Sequence, residues 1–287
     1  MTPRTVAVVG LGLVGGSIAR DLAARGVRVL AHDRDEFVVR AAMRDRVVHR
    51  ALDAQLTGIG EAELVVLATP VSATLQLLAL VAGTDPRPCV VMDVGSTKAS
   101  AVAAAQSLGI GAQFVGSHPM AGDHRSGWRA SRRGLFTGAR VYLCPASDTA
   151  PEALDVATSF WTGLGAEPIV MDANAHDARL AWASHLPHVA ATMLGAALAD
   201  AGIDRSLLGP GGRDTTRLAG SSPELWADIA RDNAPALDAA LAGFERQLTS
   251  FRRSLATGGA EALAAHFAAA REWFDRDAGE RFPCSGA

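Results

Sequence analysis

The residues best placed to do chemistry follow short apolar runs. Gly10-Leu11-Gly12-Leu13-Val14-Gly15 comes straight after Thr5–Val9 and leads into a helical stretch. In that setting Gly10 permits a tight turn, Gly12 lets the backbone approach a pyrophosphate, and Gly15 lets helix and strand pack closely. The first helical turn, at Leu13 and Val14, then offers free N–H groups and a positive dipole end to phosphate oxygens. Asp33 closes the second apolar run, where a carboxylate can accept from an adenosine ribose diol. A carboxylate there repels a 2′-phosphate, so NAD is the expected cofactor. Arg34 and Arg40 nearby leave NADP open. The competing reading is a glycine-rich structural turn beside a solvated aspartate. Thr69-Pro70 ends another apolar run at the same edge and either lines the cofactor or only makes a turn.

Four further segments carry reactive or anion-binding side chains. Asp93-Val94-Gly95-Ser96-Thr97-Lys98 follows the next strand and contains the sequence's only lysine. There Ser96 orients a substrate or nicotinamide, or else Ser96 or Thr97 merely caps a helix; the solitary lysine favours a functional turn. Gly116-Ser117-His118-Pro119-Met120-Ala121-Gly122 sets a histidine among small residues. It suits a general base that takes a hydroxyl proton as hydride leaves the same carbon, and its activity is expected to fall as pH drops through about 6.5. In Ser184-His185-Leu186-Pro187-His188, Ser184 and His188 share a helical face, His185 points elsewhere, and Pro187 kinks the helix. That pair forms a cleft wall or a satisfied core contact. Arg213-Asp214-Thr215-Thr216-Arg217 puts two guanidinium groups at i and i+4, a repulsion that a bound anion offsets. Ser221-Ser222-Pro223-Glu224-Leu225-Trp226 reads as a capped helix start.

The elements that must hold these residues are legible from periodicity. Strands are predicted at Thr5–Val9, Val27–Ala31, Leu64–Ala68, Cys89–Val94, Arg140–Leu143 and Pro168–Met171. Helices are predicted at Ser17–Arg25, Glu36–Arg44, Ala73–Val81, Lys98–Leu108 and Pro151–Leu164. Strands alternating with helices imply a mostly parallel, doubly wound α/β sheet. From Asn174 strand signals stop, and His176–Asp200, Arg213–Leu218, Pro223–Gly243 and Ala260–Asp275 read as helices. The expected domains are 1–172, binding a dinucleotide, and 173–287, helical. At 287 residues, 49% apolar and 20% charged, two such domains are affordable in size. A net charge of −3 gives no basic footprint for nucleic acid, and three cysteines without ligand spacing suggest neither disulfides nor a metal. No signal sequence or membrane span is visible, so a cytoplasmic protein is expected.

Taken together, Gly10–Ser17, Asp93–Lys98, Gly116–Gly122, Ser184–His188 and Arg213–Trp226 resemble the prephenate/arogenate dehydrogenase family of tyrosine biosynthesis. The resemblance implies an N-terminal Rossmann domain followed by an all-helical C-terminal domain that forms a homodimer. It also implies that His118 engages the substrate's ring hydroxyl and Ser96 orients it, while Ser184 and His188 line the substrate site. Arg217 would hold a carboxylate of a prephenate-like dianion, with Arg213 as a second anion contact. Relatives often carry Glu shortly after the histidine; here the stretch reads Asp123-His124-Arg125, with His124 in that place. A neutral or cationic group there favours prephenate over arogenate, which bears an ammonium, although Asp123 works the other way. The implied reaction is oxidative decarboxylation of prephenate to 4-hydroxyphenylpyruvate, with arogenate and 4-amino-4-deoxyprephenate as alternative substrates. A β-hydroxyacid dehydrogenase would use a lysine in its second domain, and none follows Lys98. A non-catalytic NAD-binding module remains the alternative from another class.

Overall fold

The apolar runs assemble into one sheet in a computed structural model that describes residues 3–122 and 125–278. Its strands are β1 (Thr5–Val9), β2 (Arg28–His32), β3 (Arg50–Ala51), β4 (Leu64–Leu67), β5 (Val90–Asp93), β6 (Phe114–Pro119), β7 (Arg140–Pro145) and β8 (Glu167–Val170). Their order is β3-β2-β1-β4-β5-β6-β7-β8, and each neighbouring pair is parallel except β6 with β7. Between them run α1 (Leu13–Ala23), α2 (Glu36–Arg44), α3 (Val71–Ala82), α4 (Ala99–Ser107) and α5 (Pro151–Gly163).

Side chains alternate across the central strands and feed two apolar layers. Val6, Val8, Leu64 and Val66 pack with Ile18 of α1 and Trp161 of α5. Ala7, Val9, Val65 and Leu67 pack instead with Leu78 of α3 and Ala101 of α4. A strand covered on both faces reads as a continuous apolar run, which is why β1 and β4 were legible in the sequence. Because β1 and β4 are adjacent but send their helices to opposite faces, a crevice opens at their carboxyl ends. That is where open α/β sheets bind ligands.

Beyond β8 there is no strand among the described residues. Asp172 accepts from the Ala175 N–H at 2.8 Å and starts α6 (Ala173–Leu180). A π-helical turn over Ala181–His185 leads into α7 (Leu186–Asp200). Pro187 cannot donate to the carbonyl four residues back, and the widened turn ahead of it absorbs that loss through a Leu186 N–H to Ala181 O bond. Next come α8 (Pro210–Thr215), a 3₁₀ turn (Arg217–Gly220), α9 (Pro223–Asp232), α10 (Ala234–Thr257) and α11 (Ala260–Ala278). The single helix expected over 223–243 is therefore two, divided at Asn233.

The chain falls into two compact units, residues 1–237 and 238–287. The second contains most of α10 together with α11, joined by a Ser254 Oγ to His266 Nε2 hydrogen bond of 3.1 Å. Phe251 meets His266 and Phe267 edge-on. Phe267, Trp273 and Phe274 are exposed. No helix among the described residues is long and apolar enough to cross a membrane.

Candidate active site

The nucleotide turn shows why each glycine is needed. Gly10 has φ +92°, and a Cβ there would lie 2.3 Å from the Ala68 carbonyl oxygen. A Cβ on Gly15 would lie 2.0 Å from the Gly10 oxygen. On Gly12, by contrast, it would meet nothing within 4 Å, so the open side of the turn lies there. No side chain among the described residues caps α1, which leaves the N–H groups of its first turn, at Leu13 and Val14, available to an anion. Asp33 accepts from the Leu11 N–H at 2.7 Å and from the Asp35 N–H at 2.9 Å. It thus ties the turn to β2 and retains acceptor capacity for a ribose diol. Arg40 pairs with Glu36 at 2.8 Å, whereas Arg34 and Pro70 line a cleft with Ser72, Asp228 and Arg231. Thr69 packs on the glycine turn, its Cγ2 3.0 Å from where a Gly10 Cβ would sit. These features fit a dinucleotide laid across the carboxyl ends of β1 and β4.

Lys98 is a structural pin, contrary to the functional role its solitude suggested. Its side chain is fully buried, ion-paired with Asp93, and donates to the Ser117 carbonyl at 2.9 Å. Asp93 also accepts from Gly95 N–H at 2.8 Å and Ser117 N–H at 3.2 Å, and the Ser117 hydroxyl donates to the Asp93 carbonyl. This cluster welds the ends of β5 and β6, so the turn carrying Ser96 and the strand carrying His118 are fixed together. Ser96 is half-buried and its hydroxyl has no hydrogen bond among the described residues. Neither Ser96 nor Thr97 caps α4. That end is capped by Asp177 of α6, which accepts from Lys98 N–H at 2.8 Å and Ala99 N–H at 2.9 Å.

His118 lies on β6, opposite Tyr142 of β7, in a strand that is not among those expected from periodicity. Gly116, Ser117 and Pro119 hide the apolar pattern that marks the other strands. The ring is 8% exposed. Its Nδ1 lies 3.0 Å from His176 Nε2, and His176 Nδ1 lies 2.7 Å from Asp177 Oδ1. Nε2 of His118 has no hydrogen-bond partner among the described residues. Burial, then the nearby His176, Lys98 and His185, hold His118 well below the ordinary histidine value. Its ring is therefore neutral at physiological pH.

The Ser184–His188 segment splits its two histidines. His185 is buried beside this cluster; its Nδ1 accepts from Asn233 Nδ2 at 3.1 Å and its Nε2 has no partner among the described residues. His188, half-buried, stacks on Trp226 at 3.6 Å, and Trp226 also meets His185 edge-on. His188 Nδ1 bonds the Ser184 carbonyl at 3.1 Å, so the expected face shared by Ser184 and His188 is present. Arg217 is exposed and close enough to His188 to depress its pKa. A chain of neighbours therefore leads from His118 through His185, Trp226 and His188 to Arg217.

The helix expected over Arg213–Leu218 is not continuous, and Arg213 and Arg217 do not share its face. A helix begun by Pro210-Gly211-Gly212 has little propensity to extend, and α8 ends at Thr215. Arg217 opens the following 3₁₀ turn, while Arg213 donates to the Ser206 carbonyl at 3.2 Å. The i, i+4 argument for their repulsion therefore has no continuous helix to stand on, while Arg217 lies beside His188. His124 and Asp123 lie outside the described residues.

His176, Asp177 and Asn233 were missed. Ala173, His176, Asp177 and Leu180 are the buried positions of α6, spaced i, i+3, i+4, i+7. Two titratable groups on an inward helical stripe were the available signal.

The buried histidines set an acid limit on stability. Burial holds His185 down at about 4, and it likewise lowers His118 and His188. The unfolded chain binds protons near 6.5, so the contribution is whole above that pH and lost as pH falls through the folded values. Thermal melts should show Tm falling between pH 6.5 and 4. A level Tm across that range contradicts the neutral assignment.

Comparison with known proteins agrees with this geometry. The family model described as "Prephenate dehydrogenase, nucleotide-binding domain" matches residues 18–170, and "Prephenate dehydrogenase, dimerization domain" matches 172–269. The chain is 33% identical over 279 residues to the prephenate dehydrogenase of Bacillus subtilis, covering 94% of this chain and 75% of that one. It is 34% identical over 271 residues to the cyclohexadienyl dehydrogenase of Zymomonas mobilis, covering 91% and 92%. A solved prephenate dehydrogenase from A. aeolicus, in complex with hydroxyphenyl propionate and NAD+, superposes with a TM-score of 0.88 at 26% identity, over 96% of this chain and 99% of that one. A doubly wound nucleotide-binding sheet, a helical continuation and these matches over nearly the whole length place the chain in the prephenate dehydrogenase family.

Proposed function

We propose that this protein oxidatively decarboxylates prephenate to 4-hydroxyphenylpyruvate, with NAD as hydride acceptor. The observation that carries the reading is a neutral His118 whose Nε2 is unpartnered among the described residues, held at the same sheet edge as the nucleotide turn. Bound NAD supplies the acceptor for the hydride from C4. His118 takes the hydroxyl proton as that hydride leaves, and Ser96 orients the hydroxyl from the neighbouring turn. Loss of CO₂ returns an electron pair to the ring and leaves a phenolate oxygen. The imidazolium then hands its proton back to that oxygen, so the base is regenerated without a net proton. Arg217 holds a substrate carboxylate, with Ser184 and His188 along the same wall.

The functional division lies at 172/173, where the sheet ends and α6 begins. The helical domain pairs two chains: Met193, Leu207, Phe267 and Trp273 are exposed apolar side chains that a second copy would cover. A soluble cytoplasmic homodimer acting on a small dianion, without nucleic acid or membrane, is the assembly in view.

The test is spectrophotometric nicotinamide reduction with prephenate, arogenate and 4-amino-4-deoxyprephenate, each with NAD and NADP. Prephenate with NAD should give the highest kcat/KM. Preference for either amine substrate overturns the substrate, and NAD binding without turnover of any overturns the activity. In the same assay Arg217→Ala should raise KM for prephenate by roughly 10- to 100-fold, the cost of a lost charge-assisted contact, with KM for NAD unchanged.

A further inference from the structure

We propose that Asp177, acting through His176, fixes which nitrogen of His118 carries the proton and so keeps Nε2 bare to receive the substrate's hydroxyl proton. The inference rests on the reading of His118 as the base and adds two positioning residues behind it. Asp177 is an acceptor: it already takes the Lys98 and Ala99 N–H groups, and its Oδ1 lies 2.7 Å from His176 Nδ1. Burial works against its ionisation, but hydrogen bonds from His176, Ala99 and Lys98 outweigh that and hold the carboxyl below its usual range. His176 must therefore carry its proton on Nδ1. In the neutral ring Nε2 is then an acceptor. The donor it faces at 3.0 Å is His118 Nδ1, which must carry the other proton. Nε2 of His118 is left with its lone pair, the tautomer that an unconstrained histidine in water disfavours.

The chain also stabilises the product of proton transfer. When the substrate O–H breaks and an N–H forms at Nε2, His118 becomes a cation that donates Nδ1–H to His176. No other bond needs to break. Among the described residues, the groups facing the pair are Lys98 from the β5–α4 turn, His185 from the π-helical turn and Tyr142 from β7. Lys98 is cancelled by Asp93, and His185 stays neutral down to about 4. The anion that opposes a charged His118 is thus Asp177, one ring away.

Asp177 also caps α4, so its own substitution would mix two effects. His176 separates them. In His176→Asn the amide occupies the Nδ1 position and can still donate to Asp177, but His118 Nδ1 loses its partner. In His176→Gln the longer amide can present an oxygen to His118 Nδ1 instead. His176→Asn should lower kcat about 10²-fold, at the low end of what a general base supplies, with KM for prephenate and the NAD dissociation constant within about twofold. His176→Gln should recover part of kcat. Imidazole ¹⁵N NMR of the wild-type protein should show His118 protonated on Nδ1 at neutral pH, and in His176→Asn the proton should move to Nε2. A wild-type His118 protonated on Nε2, or a His176→Asn enzyme with unchanged kcat, overturns the proposal. The wild-type NMR measurement needs neither turnover nor a folded variant. If no substrate is oxidised but the tautomer is as stated, it is the base assignment that fails, not the positioning.

Discussion

Replacing His118 by asparagine should lower kcat by about 10²–10⁴-fold, the contribution of a positioned general base, and leave NAD affinity intact. Asparagine matches the Nδ1 side of the ring and can still donate to His176, so the buried contact at 3.0 Å survives in kind. The Nε2 side is lost, and with it the lone pair that accepts the hydroxyl proton. The proposed nucleotide contacts, at the Gly10–Gly15 turn and Asp33, follow β1 and β2, which are separated from β6 by β4 and β5. The pH profile supplies the second half of the test. The sequence suggested a loss of activity through about 6.5, the reference histidine value. Burial lowers His118 well below that, so kcat/KM should stay level through pH 6.5 and fall only in more acid solution. A base with a depressed pKa remains unprotonated longer as pH drops, which fixes the sign. Wild-type turnover retained in His118→Asn, or an acid limb centred at 6.5, would remove this ring from the mechanism.

What could be read in the sequence follows from how each element is buried. β1, β4 and β5 sit centrally with both faces covered, so their runs are apolar throughout and stood out. β6 is just as buried, yet Gly116, Ser117 and His118 occupy its centre and break the apolar run. That strand therefore went unread, although His118 within it was singled out. The helix expected over Arg213–Leu218 was misread for another reason. An i, i+4 spacing has meaning only inside a continuous helix, and the glycines at 211 and 212 shorten α8 to end before the second arginine. What His176 and Asp177 pair with was invisible because those contacts span 58 and 79 residues of sequence, to His118 and Lys98. Local periodicity carries no information about such pairings. Asp33, in contrast, could be read because strand, turn and carboxylate are close in sequence.

Lys98→Met should cost roughly 3–5 kcal/mol of folding stability, a large share of the 5–15 kcal/mol typical of a domain. The lysine side chain has no exposure, and its ammonium is enclosed by Asp93 and the Ser117 carbonyl. Methionine fills the stem but leaves the Asp93 carboxylate buried against only the Gly95 and Ser117 N–H groups. An uncompensated buried carboxylate has its pKa pushed up, so lowering the pH neutralises it. The penalty should therefore be greatest near neutrality and shrink in acid, opposite to the histidine-driven trend of the wild-type protein. Adding Asp93→Asn removes the stranded charge and keeps an oxygen for one of those N–H groups, so the double variant should be more stable than Lys98→Met alone. Because the same cluster joins the ends of β5 and β6, any folded Lys98→Met should lose kcat as Ser96 and His118 drift apart, while NAD still binds at β1 and β2. Chemical denaturation across pH checks the first claim and steady-state kinetics the second. A Lys98→Met protein within 1 kcal/mol of wild type would show that the ammonium is dispensable and that its solitude in the sequence needs another explanation.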